Sequence, residues 1–387
     1  MYKIKQIPED FIVREINEPK SGDNGDYSYF LLKKKNYNTL KAIKIISEKL
    51  KIPEKSIGFA GNKDRNAVTE QLISIKNGNK SIEKINLKDI ELKFIGKGDN
   101  EVFLGSHRGN EFIITIRNLG DEEIKNIEAK AKNNQILMPN YFGPQRFSNN
   151  NAKIGKSIIK KDFETAIRLI TETNSDYNKK IKNHLEKKPN DYVVALKIIP
   201  LKLLKLYIHS YQSSLFNKVL EKLIKDKKIT KNNHNRKISG DNKNKTIVEN
   251  IIETLENSDC KISLLQHGVS NRNFRRAQKH ALHFSAESVF DKIPVIGFGT
   301  ELERNETGKT INKIMKGEKI NERDFIIRQI PELSSEGTER NAFIKISDFQ
   351  IIKKEEDELN QNKKKIIVKF SLPKGCYATV FIENLFG

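Results

Sequence analysis

The segment Gly61-Asn62-Lys63-Asp64-Arg65-Asn66-Ala67-Val68-Thr69-Glu70-Gln71 puts one carboxylate between two cations in a short polar loop. Gly58 and Gly61 permit a tight bend, and Val68 begins a strand-like run, so Asp64 is expected at a loop tip between strands. A carboxylate beside cations favours its charged form. On a rigid scaffold such a group can serve as a nucleophile. On these residues alone, a surface turn carrying a Lys-Asp-Arg cluster is the simpler explanation.

Three further segments carry chemistry. Pro139-Asn140-Tyr141-Phe142-Gly143-Pro144-Gln145-Arg146-Phe147 gathers aromatics, amides and an arginine. Aromatic faces stack bases, amides pair with base edges and arginine binds phosphate. An aromatic turn packed into a core explains it equally well. Leu372-Pro373-Lys374-Gly375-Cys376-Tyr377-Ala378-Thr379-Val380 reads as a turn between two strands, with Tyr377 just past it. His209 to Asn217 gives an apolar helix one polar face, read first as a helix–helix contact.

These segments need elements to hold them. Strands are expected over Phe11 to Ile16, Tyr27 to Lys33, Val68 to Ile75, Glu91 to Ile95 and Phe112 to Ile116. Asn38-Thr39 starts a helix in which Leu40, Ile43, Ile46 and Leu50 recur at helical spacing, ending near Pro53. A second helix is expected over Glu122 to Asn134. The middle of the chain is helical, notably Leu201 to Lys225. Lys231 to Lys245 is basic and aperiodic, which predicts an exposed loop. Strand character returns in Asn341 to Ile346, Ile366 to Leu372 and Ala378 to Ile382. A β-rich start and end around a helical middle predict one domain interrupted by an insertion.

With 387 residues the chain exceeds one ordinary domain. Hydrophobic residues make up 36%, with 20 Phe and 10 Tyr, enough for real cores. Lys and Arg number 71 against 50 Asp and Glu, so the formal charge is +21, which favours a polyanionic partner. A Lys- and Asn-rich compositional bias is the bland alternative. The two cysteines, Cys260 and Cys376, form no Cys-x-x-Cys pair and no disulfide framework, and read as reduced cytosolic thiols. No run of 18 apolar residues is present, so a soluble cytoplasmic protein without membrane attachment is expected. Methyltransferase-type glycine loops fail: Gly96-x-Gly98 continues to Glu101, and Gly297-x-Gly299 to Leu302. Neither a Walker A sequence nor a His-Glu-x-x-His pair occurs. An RNA-binding protein without activity would need the basic surface but not the intact Asp64 loop.

Taken in order, these segments resemble the TruD family of pseudouridine synthases. Pro8-Glu9-Asp10-Phe11-Ile12-Val13 is similar to the family's opening motif, and Asn38-Thr39 to its helix start. Leu104-Gly105 with Arg108-Gly109-Asn110 and Phe112 matches its Gly-Asn strand entry, and Pro294 with Gly297 its Pro-x-x-Gly turn. The resemblance implies isomerisation of uridine to pseudouridine in tRNA, at position 13, without cofactor or metal. It implies a mixed α+β (α/β) pseudouridine-synthase core with a mostly antiparallel sheet, interrupted by a helix-rich inserted domain that adds a wall to an RNA-binding cleft. The expected bounds are 1–156 and 337–387 for the catalytic domain and 157–336 for the insertion. By motif match Asp64 is the catalytic aspartate and Lys5 its basic partner. Phe11, Asn140 and Tyr377 fall where the family contacts the target nucleotide, and Phe142 where an aromatic lines the pocket. Lys63, Arg65, Arg146, Arg275 and Arg276 are the candidate RNA contacts, with tRNA the only partner of a monomer. Ser148 stands where a glycine usually follows Gln-Arg-Phe, and Glu339 precedes Arg340 where two basic residues are common.

Overall fold

The computed structural model describes residues 1–19, 21–132, 136–147, 150–172, 176–235 and 292–386. The chain divides into two compact units. One comprises Met1–Met138 and Lys345–Gly387, the other Pro139–Ile344. The second unit therefore takes in residues 139–156 and 337–344, which lie outside the insertion bounds expected from sequence.

The first unit is built on an eight-stranded sheet. Its strands are β1 (Phe11–Ile16), β2 (Tyr27–Lys35), β3 (Ile57–Phe59), β4 (Val68–Lys76), β5 (Ile90–Gly98), β6 (Gly109–Leu119), β11 (Ser347–Glu356) and β12 (Lys364–Pro373). Their order is β11-β12-β6-β1-β4-β2-β5, with β3 alongside β4. Among these pairs only β1 with β4 is parallel, through Ile12 opposite Val68 and Arg14 opposite Glu70. A mixed α+β fold with a mostly antiparallel sheet is what the family resemblance implies, and it is what forms.

The helix α1 (Thr39–Leu50) follows from its residues. The Asn38 side chain accepts from the Lys41 N–H at 2.8 Å and caps the first turn. Ala42, Ile43 and Ile46 face inward at helical spacing and pack with Phe30, Leu32, Ile73 and Ile75 of the sheet. The helix ends where Lys51 turns left-handed, two residues before Pro53. On another part of the unit, α2 (Asp121–Lys132) carries Asp121, Glu122 and Glu123 in its first turn, the end that favours negative charge.

One expected strand is a helix. Ala378 to Ile382 belongs to α9 (Ala378–Phe386). The β-branched and aromatic residues suggest a strand, but Ala378, Phe381, Ile382 and Leu385 are buried at helical spacing. Phe381 packs on Phe370 of β12 at 4.4 Å and on Phe349 of β11 at 5.4 Å between ring centroids. Burial of this stripe against the sheet overrides strand propensity. The Lys374-Gly375 turn thus joins a strand to a helix, not two strands.

The second unit is mainly helical: α3 (Asn151–Ile159), α4 (Phe163–Thr171), α5 (Asn178–Lys187), α6 (Tyr192–Lys197), α7 (Leu201–Asn235) and α8 (Glu306–Glu318). Leu204, Tyr207, Tyr211, Leu215 and Val219 of α7 are buried, as their spacing predicts. The helix runs on to Asn235, so 231–235 is helical where a loop is expected from sequence. Residues 236–245 lie outside the described residues, as do Cys260, Arg275 and Arg276. Gly155 lets α3 press against α7, since a Cβ there would sit 2.1 Å from the Tyr207 carbonyl oxygen. The short strands β7 (Leu137–Pro139) and β10 (Phe343–Lys345) pair with each other. β8 (Lys292–Val295) pairs with β9 (Thr338–Asn341).

Candidate active site

Asp64 lies on the loop that joins β3 to β4, and its side chain is 41% exposed. Its Oδ2 accepts from Lys5 Nζ at 2.5 Å. The same ammonium sits 3.9 Å from the centroid of the Phe11 ring. Phe11 is 3% exposed and meets Phe112 edge-on, so it serves as the floor on which Lys5 rests. Lys5 adopts φ 58°, a left-handed conformation that costs a non-glycine residue roughly 1–2 kcal/mol. Its carbonyl is held by Asn66 Nδ2 at 3.1 Å, from the same loop as Asp64. The next two residues are also fixed, because Gln6 and Ile7 N–H groups donate to Asp10 Oδ2.

The loop is pinned from below by a buried relay. The Thr39 hydroxyl accepts from Lys63 N–H at 2.9 Å and donates to Gln71 Oε1 at 2.8 Å. Gln71 Nε2 then donates to the Gly61 carbonyl at 3.1 Å. Helix α1 and strand β4 thereby grip the arm of the loop that leads into Asp64, at Gly61 and Lys63. Such groups must be paired once buried, and these are.

Lys63 is a correction to the sequence expectation. Instead of reaching for a phosphate, its ammonium points inward to Glu15 Oε2 at 2.5 Å. The two side chains are 6% and 0% exposed. A buried carboxylate needs a cation, and Lys63 is the one supplied. Arg65, by contrast, is exposed.

Two residues buried beside the Asp64 loop, Glu15 and Lys34, carry no family motif in the sequence. Glu15 follows Arg14 in the strand Phe11–Ile16, and the Arg-Glu pair reads as ordinary surface charge, so its burial carries no clear signal in sequence. Lys34 is the middle of Lys33-Lys34-Lys35 and carries no such signal, since its burial comes from the pleat and from the loop packed over it.

The candidate residues of the second unit form their own cluster. Asn140 is 4% exposed, and its N–H donates to the Ala342 carbonyl at 2.8 Å. Arg340 donates to the Asn140 carbonyl at 3.0 Å and to its Oδ1 at 2.5 Å. The Arg340 guanidinium lies 4.1 Å from the centroid of the Phe142 ring. The polar face of α7 clamps this aromatic turn, and its Tyr211 hydroxyl also donates to Glu318 of α8 at 3.3 Å, the helix–helix contact expected from sequence. Asn217 accepts from Phe142 N–H and donates to the Phe142 carbonyl, both at 2.9 Å. Ser210 donates to the Arg146 carbonyl at 2.7 Å, and Arg146 Nε reaches Ser213 Oγ at 3.3 Å. Tyr377 is half-buried and immediately precedes α9, where its carbonyl accepts from Phe381 N–H.

A model of the family described as tRNA pseudouridine synthase D (TruD) matches residues 2–178 and 171–385. The chain belongs to the TruD family. Two TruD relatives carry the name "Probable tRNA pseudouridine synthase D". That of Methanosarcina acetivorans is 31% identical over 425 residues, covering 99% of this chain and 92% of that protein. That of Thermococcus sibiricus is 33% identical over 433 residues, covering 99% and 94%. The solved TruD structure from Methanosarcina mazei covers 99% of this chain and 93% of its own, with a TM-score of 0.68 and 26% identity. Isomerisation of uridine to pseudouridine in tRNA is the reaction of the TruD family, and this chain carries it by membership. Among the described residues, no helix is long and apolar enough to cross a membrane, and no cluster of three potential metal ligands occurs.

Proposed function

We propose that this TruD protein isomerises uridine 13 of tRNA, as a monomer, with Asp64 as the catalytic carboxylate and Lys5 as its electrostatic partner. The observation that carries the reading is the 2.5 Å Lys5–Asp64 contact at a loop tip that is open to solvent yet pinned underneath. Pre-organisation of that kind is what a reacting group needs.

The target nucleotide leaves its stack to reach the carboxylate. Asp64 promotes cleavage of the C1′–N1 bond, the freed uracil turns, and C1′ rejoins it at C5. The proton leaves C5, N1 gains one, and the atoms balance without oxidant or cofactor. Phe11, Asn140, Phe142 and Tyr377 are the family-matched contacts of the target nucleotide, and the Phe11 ring also supports Lys5. Arg65 and Arg146 are assigned to phosphates, which supply affinity rather than chemistry. The helical second unit is taken as the family's RNA-binding insertion.

The test is tritium release from a tRNA transcript labelled at uridine C5. Wild type should release label and Asp64→Ala should not, while both bind tRNA alike. A well-folded Asp64→Ala protein with undiminished release overturns the assignment. Release that persists when uridine 13 is replaced overturns the position.

A further inference from the structure

Lys34 is the one lysine of its β2 triplet that is sealed from water, 1% exposed. The side chains of Lys33 and Lys35 are 47% and 39% exposed. Its ammonium donates to the Tyr37 carbonyl at 2.6 Å and reaches the Asp64 main-chain carbonyl at 3.4 Å. Among the described residues it has no carboxylate within ion-pair distance. The charged groups that face it are Asp64 and Lys63, both from the β3–β4 loop. In the sheet it stands level with Thr69 of β4 and Ile90 of β5, neither of which titrates in the accessible range.

Burying an ammonium against two carbonyls is costly, and an apolar side chain of the same length would spare that cost. The position therefore calls for a role beyond packing. We propose that Lys34 is a positioning residue for Asp64, holding the loop tip from beneath through its main-chain carbonyl while Lys5 holds the carboxylate from the other side. The proposal rests on the assignment of Asp64 as the catalytic carboxylate.

Burial pushes the Lys34 ammonium down to about 8, with Asp64 pulling it up and Lys63 pushing it further down. Below that pH the ammonium is charged and holds the carbonyl. Above it the amine is neutral and the hold weakens. The rate of isomerisation should fall as pH rises through this point.

The experiment is single-turnover tritium release from C5-labelled tRNA transcript, from about pH 6 to about pH 9.5. Wild type, Lys34→Met, Lys34→Arg and Asp64→Ala are compared, each checked for folding by thermal unfolding. Lys34→Met should be slower by roughly tenfold at neutral pH, with tRNA affinity within about twofold, and should lack the alkaline fall. Lys34→Arg should keep its rate on the alkaline side, because a guanidinium stays charged. A folded Lys34→Met protein with wild-type rate and pH curve, beside an inactive Asp64→Ala, overturns the role of Lys34 alone. Wild-type release by Asp64→Ala overturns the underlying assignment instead. If Lys34→Met fails to fold, an identical alkaline fall in wild type and Lys34→Arg overturns the proposal.

Discussion

Lys63 and Glu15 close a 2.5 Å ion pair beneath the Asp64 loop, with almost no side-chain surface left to solvent. Loop and first strand are tied together by charge at the one place where the candidate carboxylate must be held. Glu15→Gln would leave the Lys63 ammonium buried without its counter-charge. The expected loss is about 3–5 kcal/mol of stability. Replacing both residues with apolar ones, Glu15→Leu with Lys63→Met, should recover most of it. Urea unfolding midpoints of the three proteins decide the matter, and a Glu15→Gln protein within about 1 kcal/mol of wild type contradicts it.

Thr39 is the hinge pin of the buried relay. Thr39→Val keeps the shape and removes the hydroxyl, leaving Lys63 N–H without its acceptor. The expected cost is about 1–3 kcal/mol, with a fall in turnover because Gln71 loses its orientation toward Gly61. Thr39→Ser, which keeps the hydroxyl, should recover turnover. Chemical denaturation and tritium release on the same preparations test both halves.

Lys5 contributes a charge-assisted contact to Asp64, a class worth about 1.5–3 kcal/mol. If that contact matters chiefly during reaction, Lys5→Met should lower the rate at saturating tRNA by roughly ten- to a hundredfold. Binding of tRNA should change little. Phe11→Leu removes the ring under the ammonium and should act in the same direction but more weakly, since such contacts are worth roughly 0.5–1 kcal/mol when exposed. Equal rates for Lys5→Met and wild type would remove Lys5 from the site.

The second unit has its own acid-sensitive joint. Burial pushes the Glu318 carboxyl up, but hydrogen bonds from Lys156 and Lys218 outweigh it and hold it at about 2. A depressed carboxyl stabilises the fold above its ordinary 4.5 and loses that contribution as pH falls toward 2. The lysines are partly exposed, so screening limits the effect to about 1 kcal/mol at neutral pH. Glu318→Gln should unfold more readily than wild type at pH 7, and the gap should close in acid. Thermal melts across pH follow it directly.

Gly155→Ala tests the contact between α3 and α7. The added methyl would meet the Tyr207 carbonyl at 2.1 Å, which no side-chain rotation relieves. Helix separation should cost about 1–3 kcal/mol, seen as a lower Tm. An unchanged Tm would mean that the two helices separate freely.

Much of the site was legible in the sequence because its signals are local. The Gly61–Gln71 segment, with its glycines and the strand-like run that starts at Val68, places Asp64 between two strands. Asn38 announces α1, and the stripe along α7 is regular enough to read directly. Family motifs placed Lys5 beside Asp64 although 59 residues separate them. What tertiary structure alone decided is which charges face inward. Lys63 and Arg65 flank Asp64 alike in sequence, yet one is buried on Glu15 and the other is exposed. Lys33, Lys34 and Lys35 are identical in type, and the pleat with the overlying loop selects the middle one for burial. Ala378 to Ile382 reads as a strand by composition and becomes a helix because the sheet offers Phe370 and Phe349 to an i, i+3, i+4 stripe. Spacing and residue type write the local geometry, whereas the sign of burial depends on partners brought from far along the chain, and only the fold supplies those.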